Sequence, residues 1–323
     1  MCTALTLKTS DSYFGRNLDL DMSYGEEVVV MPRRYPITFR KLPTVNTHYA
    51  IIGMATVVGD IPLYYDGCNE HGLAMAGLNF PGNAVYYPEC EGKRNVTPFE
   101  FIPYILGTCR DISEALEALT DMNLVNIPFS EKLPLSPLHW IISDKEKSVT
   151  VEAMSDGVHI HPNPMGILTN NPPFEYHMQS LANYRSLSIT NGKNRFGDIE
   201  LPNYCQGLGG IGLPGDVSSM SRFVRIAFSK LNSVCEADES SSVNQFFHLL
   251  SYVEMPKGIC LVPNGHYDIT VYSSCINQDR GVYYYTTYNN RRIHSVDMRG
   301  CDLDTTACHR YPLIAKEEFA RDN

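Results

Sequence analysis

The second residue of the chain is a cysteine, and its position gives it unusual chemistry. A small residue at position 2 lets methionine aminopeptidase remove Met1. The product carries a thiol and a free α-amino group on one residue. The reference pKa of an α-amine is about 7.7–8.0 and that of a thiol about 8.5. The amine can therefore accept the thiol proton near neutral pH, giving nucleophile and base without a histidine. The plain alternative is that position 2 is small only to permit processing. Further along stands Gly15-Arg16-Asn17-Leu18-Asp19. A cation beside a thiol favours thiolate, and a carboxylate can anchor an ammonium. Residues three apart on a regular strand point to opposite faces, so Arg16 and Asp19 are expected to converge only if the strand bends or bulges near Asn17. Otherwise they are a solvated pair on a surface hairpin.

Two asparagine-bearing turns follow, Gly77-Leu78-Asn79-Phe80-Pro81-Gly82 and Leu168-Thr169-Asn170-Asn171-Pro172. Each places amide N–H groups at a strand end, where they can stabilise an oxyanion, although Asn, Pro and Gly also make ordinary turns. Arg222, in Ser221-Arg222-Phe223, reads as a helix residue that is either a surface charge or a second site cation. Together the set supplies a thiol, an α-amine, two guanidiniums, a carboxylate and two amides, the inventory of acyl transfer. A serine triad finds no support, since no G-x-S-x-G occurs. There is no P-loop, and the glycines of 207–212 lack the context of a dinucleotide fingerprint.

The elements that must position these groups can be read in outline. Residues 1–7 alternate as a strand, and 12–20 is its hairpin partner through a polar turn at Thr9, Ser10 and Asp11. Further strands are expected at 27–31, 49–58 and 73–78. Thr97-Pro98-Phe99-Glu100 reads as a capping box opening a helix, and Asp111 with Glu114 opens another through Leu119. Strands return at 138–143, 148–152 and near His159. Pro172 and Pro173 introduce a helix to about Tyr184. Residues 190–215, rich in Gly, Asn and Pro, read as a long excursion. Helices are expected at 218–231 and 243–253, and tyrosine-rich strands from Tyr267 onward. Strands, helices, strands, helices, strands is not the alternation of a doubly wound parallel sheet; it suits antiparallel sheets layered with helices. No repeat or linker divides residues 1–323, so one domain is expected.

Composition narrows the partners. The formal net charge is −10, which argues against a nucleic-acid or anionic-membrane binder. No apolar run is long enough to span a bilayer and no signal peptide is visible, so a cytoplasmic location is expected. The ten cysteines form no C-x-x-C pair. Cys301, Cys308 and His309 lie close together without zinc-type spacing, and no metal is expected.

The ordered set Met1-Cys2-Thr3, Tyr13-Phe14-Gly15-Arg16-Asn17-Leu18-Asp19, Gly77–Gly82, Leu168–Pro172, Gly212-Leu213-Pro214-Gly215-Asp216 and Ser221-Arg222-Phe223 resembles the choloylglycine hydrolase family of N-terminal-nucleophile hydrolases. The resemblance covers essentially the whole chain. Within the family it is to the bile salt hydrolases of gut bacteria. It implies an α+β fold, a four-layer αββα sandwich with two antiparallel sheets between helical layers. It implies hydrolysis of the amide between a bile acid and glycine or taurine, without metal or organic cofactor. Carried onto this sequence, it implies Cys2 as nucleophile, its own α-amine as proton acceptor, Arg16 and Asp19 beside it, Asn79 and Asn170 as an oxyanion-hole pair, and Arg222 completing the polar network. By family position Leu18, Val58, Tyr65, Asn79, Phe129 and Leu133 are implied to line the substrate pocket, an apolar trough for a rigid amphipathic steroid. Homotetramers are implied by analogy, with 190–215 as an assembly element. Two alternatives stand beside this reading. One is a penicillin V acylase of the same fold; some of these carry Tyr at the position of Asn79. The other is a non-catalytic bile-acid-binding protein, which would need the trough but not the terminal thiol.

Overall fold

The first two strands form a hairpin whose turn closes with the Thr9 N–H donating to the Asp11 carbonyl at 2.9 Å. In this computed structural model, which describes residues 1–317 and 319–323, the strands in chain order are β1 (Cys2–Lys8), β2 (Ser12–Leu20), β3 (Glu27–Met31), β4 (Ile51–Val58), β5 (Ile61–Asn69), β6 (Ala74–Asn79), β7 (Arg94–Val96), β8 (Met122–Leu124), β9 (Leu138–Ser143), β10 (Ser148–Met154), β11 (Gly157–Pro162), β12 (Ile167–Leu168), β13 (Ile269–Asn277), β14 (Val282–Thr287), β15 (Asn290–Asp297) and β16 (His309–Pro312). The helices are α1 (Phe101–Thr108), α2 (Ile112–Leu119), α3 (Phe174–Ser180), α4 (Ser219–Leu231) and α5 (Glu239–Ser251). No helix among the described residues is long and apolar enough to cross a membrane.

Two large antiparallel sheets result. One runs β12-β1-β2-β13-β14-β15 and the other β11-β10-β9-β6-β5-β4-β3-β16. Strand alternation makes the layers. In β3, Val28 and Val30 join the core shared with Ala4, Phe14 and Leu18 of the first sheet. Val29 and Met31 of the same strand turn to the other side and pack with Phe101, Ile105, Ile112 and Ala115 of α1 and α2. On the far side of the first sheet, Phe223 and Ile226 of α4 and Phe246 and Leu250 of α5 complete the burial. The architecture is the expected αββα sandwich.

The local signals held with small revisions. Only half of the capping box forms: the Glu100 carboxylate accepts from the Thr97 N–H at 3.1 Å, the Thr97 hydroxyl has no hydrogen-bond partner among the described residues, and the helix begins just beyond. Asp111 caps α2 through Ser113 and Glu114 as expected. The last long helix starts at Glu239, earlier than its apolar pattern suggests, because Asp238 accepts from the Ser241 N–H and supplies a cap. The strand β5, with Pro62 and Gly67 inside it, is not legible as a strand. Residues 190–215 carry no strand or α-helix.

Candidate active site

Cys2 opens β1 and is buried. Its cross-strand partner is Leu18, and that of Ala4 is Arg16. Directly opposed residues share a face, so the Cys2, Arg16 and Leu18 side chains all point toward the second sheet. There the Arg16 Nη1 donates to the Gly77 carbonyl at 2.6 Å and the Tyr65 carbonyl at 3.1 Å. Gly15 allows this placement. A Cβ at that position would lie 2.0 Å from the Ser274 carbonyl oxygen, so β2 can approach β13 closely enough only with glycine. The Arg16 Nη2 has no hydrogen-bond partner among the described residues. Burial opposes the guanidinium charge, but Cys2, Tyr272, Asp66 and Asp19 together outweigh it and hold Arg16 above the ordinary guanidinium range. Asp66 belongs to the same buried network: its two oxygens accept from the hydroxyls of Tyr272 at 2.6 Å and Tyr283 at 2.7 Å.

Asp19 lies on the opposite face of β2. Its Oδ1 accepts from the Thr270 hydroxyl at 2.6 Å, and its Oδ2 has no hydrogen-bond partner among the described residues. Burial raises its carboxyl pKa against the pull of the chain-terminal ammonium, Arg222, Thr270 and Arg16. The expected bulge in β2 is absent. This strand pairs without interruption from Cys2↔Leu18 to Lys8↔Ser12, and the register shift sits on its other neighbour, between Thr270 and Tyr272 of β13. No bend is needed because Cys2 is the end of its strand. Arg16 shares the face of its thiol, while Asp19 serves the side on which the chain terminates.

Asn170 holds the nitrogen of Cys2. Its Oδ1 accepts from the Cys2 N–H at 2.7 Å and from Arg222 Nη2 at 2.7 Å, and its Nδ2 donates to the Asn79 carbonyl at 2.7 Å. Its own N–H donates to the Ser219 hydroxyl at 2.8 Å. Two donors on one side and an acceptor on the other fix the orientation of the amide. Asn79 and Asn170 therefore touch, but unequally. The Asn170 amide is engaged on both ends, whereas the half-buried Asn79 side chain makes no hydrogen bond within the described residues.

Arg222 is not a surface charge. Ser218 caps α4, and the apolar face bearing Phe223 and Ile226 turns Arg222 inward, where it is fully buried. Its Nη1 donates to the Cys2 carbonyl and, at 2.5 Å, to the Thr3 hydroxyl, while its Nε donates to the Val217 carbonyl at 3.0 Å. Burial lowers its pKa, opposed by Asp19 and Cys2.

Several supporting residues escaped the reading of the sequence. The His139 ring stacks on Phe80 with centroids 4.2 Å apart, and its Nε2 donates to the Thr169 carbonyl at 2.9 Å. It thereby clamps the residues adjoining Asn79 and Asn170. Its Nδ1 meets Glu152 at 2.9 Å, and Glu152 also accepts from the Phe174 N–H. His177 Nε2 donates to the Asn170 carbonyl at 2.9 Å, and burial pushes the imidazole down to about 4. The available signal was a lone His or Glu inside an otherwise apolar strand, as in Leu138–Ser143 and Ser148–Met154. The terminal ammonium of Met1 donates to the Asp19 carbonyl at 2.7 Å and pairs with Asp268 at 3.1 Å.

The six expected pocket residues are less uniform. Leu18 faces the site beside Cys2. Tyr65 is half-buried, lends its carbonyl to Arg16 and pairs its hydroxyl with Thr56 at 2.9 Å. Val58 ends β4 at the turn into β5, opposite Ile61. Phe129 is held edge-on to Phe99 at 5.1 Å, with Arg40 over its ring. Leu133 closes a turn on Ser130. Their loop returns to the site at Pro137, whose carbonyl accepts from the Phe80 N–H at 2.7 Å. Two surface clefts elsewhere, one lined by Glu239, Val243 and Tyr284 and the other by Glu26, Val271 and Tyr288, contain none of the expected site residues. The expected site residues converge instead on a cluster of buried polar groups around Cys2.

Residues 2–311 match the model of the linear amide C–N hydrolases, choloylglycine hydrolase family. A bile salt hydrolase/transferase of Lactiplantibacillus plantarum is 51% identical over 320 residues, covering 99% of either chain. A conjugated bile acid hydrolase of Lactobacillus gasseri is 36% identical and covers 88% of this chain and 92% of its own. Among solved structures, a mutant conjugated bile acid hydrolase from Clostridium perfringens superposes with a TM-score of 0.94 at 36% identity, covering both chains fully. A penicillin V acylase from Agrobacterium tumefaciens shares the fold, with a TM-score of 0.77 at 20% identity over 96% of this chain and 90% of its own. The chain belongs to the choloylglycine hydrolase family and is a hydrolase of linear amide C–N bonds.

Proposed function

We propose that the protein is a bile salt hydrolase that cleaves the amide joining a bile acid to glycine or taurine, using Cys2 as nucleophile after loss of Met1. The observation that carries the catalytic part is the Cys2 nitrogen, held by Asn170 Oδ1 at 2.7 Å beside Arg16, Asp19 and Arg222. The substrate class rests on the curated relatives, which are named for bile salts at up to 51% identity over nearly the whole chain. With Met1 removed, the α-amine of Cys2 takes the thiol proton and Arg16 favours the thiolate. The thiolate adds to the amide carbonyl, and the uncommitted Asn79 amide donates to the oxyanion. The α-ammonium returns the proton to the departing amine, leaving a thioester on Sγ. Water, deprotonated by the same amine, then releases the bile acid. Asn170, Asp19 and Arg222 fix the amine. Leu18, Val58, Tyr65, Phe129 and Leu133 form the apolar side of the substrate site.

The same reading includes one domain over residues 1–323, a cytoplasmic location and a homotetramer. Exposed Ile189, Phe196, Ile199, Leu201, Tyr204 and Ile211 support assembly through the long excursion. Neither penicillin V acylase activity nor a binding-only role is favoured by a specific observation. The test is a panel of glycocholate, taurocholate and penicillin V on purified Met1-free protein. Release of glycine or taurine is expected, and turnover of penicillin V without bile salt turnover would refute the assignment.

A further inference from the structure

His139 and Glu152 are both fully buried, and neither takes part in the proposed chemistry. Val151 of β10 pairs with Trp140 of β9, and Glu152 pairs with His159 of β11, so Glu152 stands between histidines on its two neighbouring strands. The His139 Nδ1 lies 2.9 Å from Glu152 Oε1, and its Nε2 lies 2.9 Å from the Thr169 carbonyl oxygen. A neutral imidazole has one donor and one acceptor nitrogen. Both His139 nitrogens face oxygen acceptors, so the pair holds one proton more than a neutral ring and a carboxylate carry. The Phe174 N–H reaches both Glu152 oxygens, at 3.1 and 3.2 Å. Hydrogen bonds donated to a carboxylate favour its charged form, which places the extra proton on the ring. The other titratable groups facing the pair are His161, 3.7 Å from Glu152 and 3.5 Å from Glu175, then His159, itself paired with Asp156, and His177. His177 is the contrast. Its Nε2 is engaged, its Nδ1 has no partner among the described residues, and the ring stays neutral.

We propose that His139 is an imidazolium neutralised by Glu152, and that this buried ion pair is a positioning unit for Asn79 and Asn170. One end of the ring fixes the Thr169 carbonyl, one residue before Asn170. Its face stacks on Phe80, one residue after Asn79, with the planes 5° apart. The two asparagines are joined in turn by Asn170 Nδ2 on the Asn79 carbonyl. A neutral ring would turn a lone pair on either the carboxylate or the carbonyl and give up one of the two fixings. Breaking a buried charge pair is costly, so the ring is held in one orientation. The inference rests on the proposed roles of Asn79 and Asn170 and deepens that reading.

The test is nuclear magnetic resonance of the full chain carrying nitrogen-15 histidine, with His139 assigned by its absence from His139→Gln. Both ring nitrogens of His139 should show the imidazolium signature at neutral pH. Glu152→Gln should convert the ring to the neutral form. The new amide N–H can donate to Nδ1 while its oxygen keeps the Phe174 N–H, and Nε2–H stays on Thr169. Glu152→Ala, which leaves Nδ1 without that partner, should lower kcat for glycocholate at least about tenfold with KM nearly unchanged. Glu152→Gln should recover most of that loss, a rescue that a need for the charge alone would not give. A neutral His139 in wild type, an imidazolium that persists in Glu152→Gln, wild-type kcat in folded Glu152→Ala, or no recovery in folded Glu152→Gln would each overturn the proposal. The wild-type spectrum decides the protonation even if a variant fails to fold. Glycocholate turnover by the wild type reads the enzymatic assignment separately. An active enzyme with a neutral His139 loses only the ion pair, and an inactive protein with the imidazolium loses only the substrate assignment.

Discussion

Replacement of Asn170 by Ala tests how the site is organised. One side chain receives the Cys2 N–H and Arg222 Nη2 on Oδ1 and reaches the Asn79 carbonyl through Nδ2, each at 2.7 Å. Asn170→Ala removes all three bonds and leaves a buried charged donor short of one acceptor. Removing one partner of a buried hydrogen bond costs about 1–3 kcal/mol. Arg222 keeps its bonds to the Cys2 carbonyl, Thr3 and Val217, so the fold should survive with a loss of roughly 2–4 kcal/mol by the same measure. The catalytic effect should be larger. The α-amine loses its fixed acceptor, and misplacement of a reacting group by about 1 Å costs on the order of a hundredfold. Glycine release from glycocholate should fall by about 10²–10³ in kcat, with KM changing much less. Asn170→Asp separates the contributions. It keeps the acceptor for Cys2 and Arg222 but sets an oxygen against the Asn79 carbonyl. It also adds a negative charge beside the amine, which favours the ammonium. The acidic limb of the rate profile should therefore move to higher pH. A folded Asn170→Ala enzyme within threefold of wild-type kcat would refute the assignment of Asn170 as holder of the amine.

Other outcomes follow from the same geometry. Gly15→Ala should destabilise the protein by about 3–5 kcal/mol in urea unfolding, because the new Cβ meets the Ser274 backbone at 2.0 Å and no flexible side chain can yield. Arg222→Lys keeps the charge but cannot reproduce a fork that reaches Cys2, Thr3 and Asn170; kcat should drop by about ten- to a hundredfold, a loss of roughly 1.4–2.7 kcal/mol. His177 is held neutral at about 4, below its ordinary 6.5. The unfolded chain therefore binds the extra proton first. Stability present above pH 6.5 is lost as pH falls toward 4, by up to about 3 kcal/mol. His177→Gln, which can still donate to the Asn170 carbonyl, should flatten that slope in denaturation measured across pH.

Much of this arrangement was legible because its signals are local. The hairpin of β1 and β2 follows from alternation and a polar turn, α2 from its capping residue, and α4 from its apolar stripe. Arg16, Asp19, Asn79, Asn170 and Arg222 were found as motif members, yet their geometry was not readable from spacing. By strand parity the three-residue interval between Arg16 and Asp19 calls for a bulge, but parity says nothing about a target that is itself a strand end. Asn170 read as an oxyanion donor because its type permits that role. Only the positions of the Cys2 nitrogen, Arg222 and the Asn79 carbonyl show that both ends of its amide are engaged. Asp66, His139, Glu152 and His177 carry no motif at all. Each is a polar residue buried in an apolar setting, and its purpose depends on partners far away in sequence. Tyr272 and Tyr283, for example, meet Asp66 across more than 200 residues. Asp268 was invisible for the same reason.

The central claim is that the thiol and the α-amine of residue 2 act together as nucleophile and base. Cys2→Ala isolates the thiol, since alanine is also small enough to permit loss of Met1 and so keeps the free α-amine. The measurement is glycine release from glycocholate by folded, Met1-free Cys2→Ala protein beside wild type. Steady release by wild type and none above background by the variant are expected. Release by Cys2→Ala at the wild-type rate would contradict the claim.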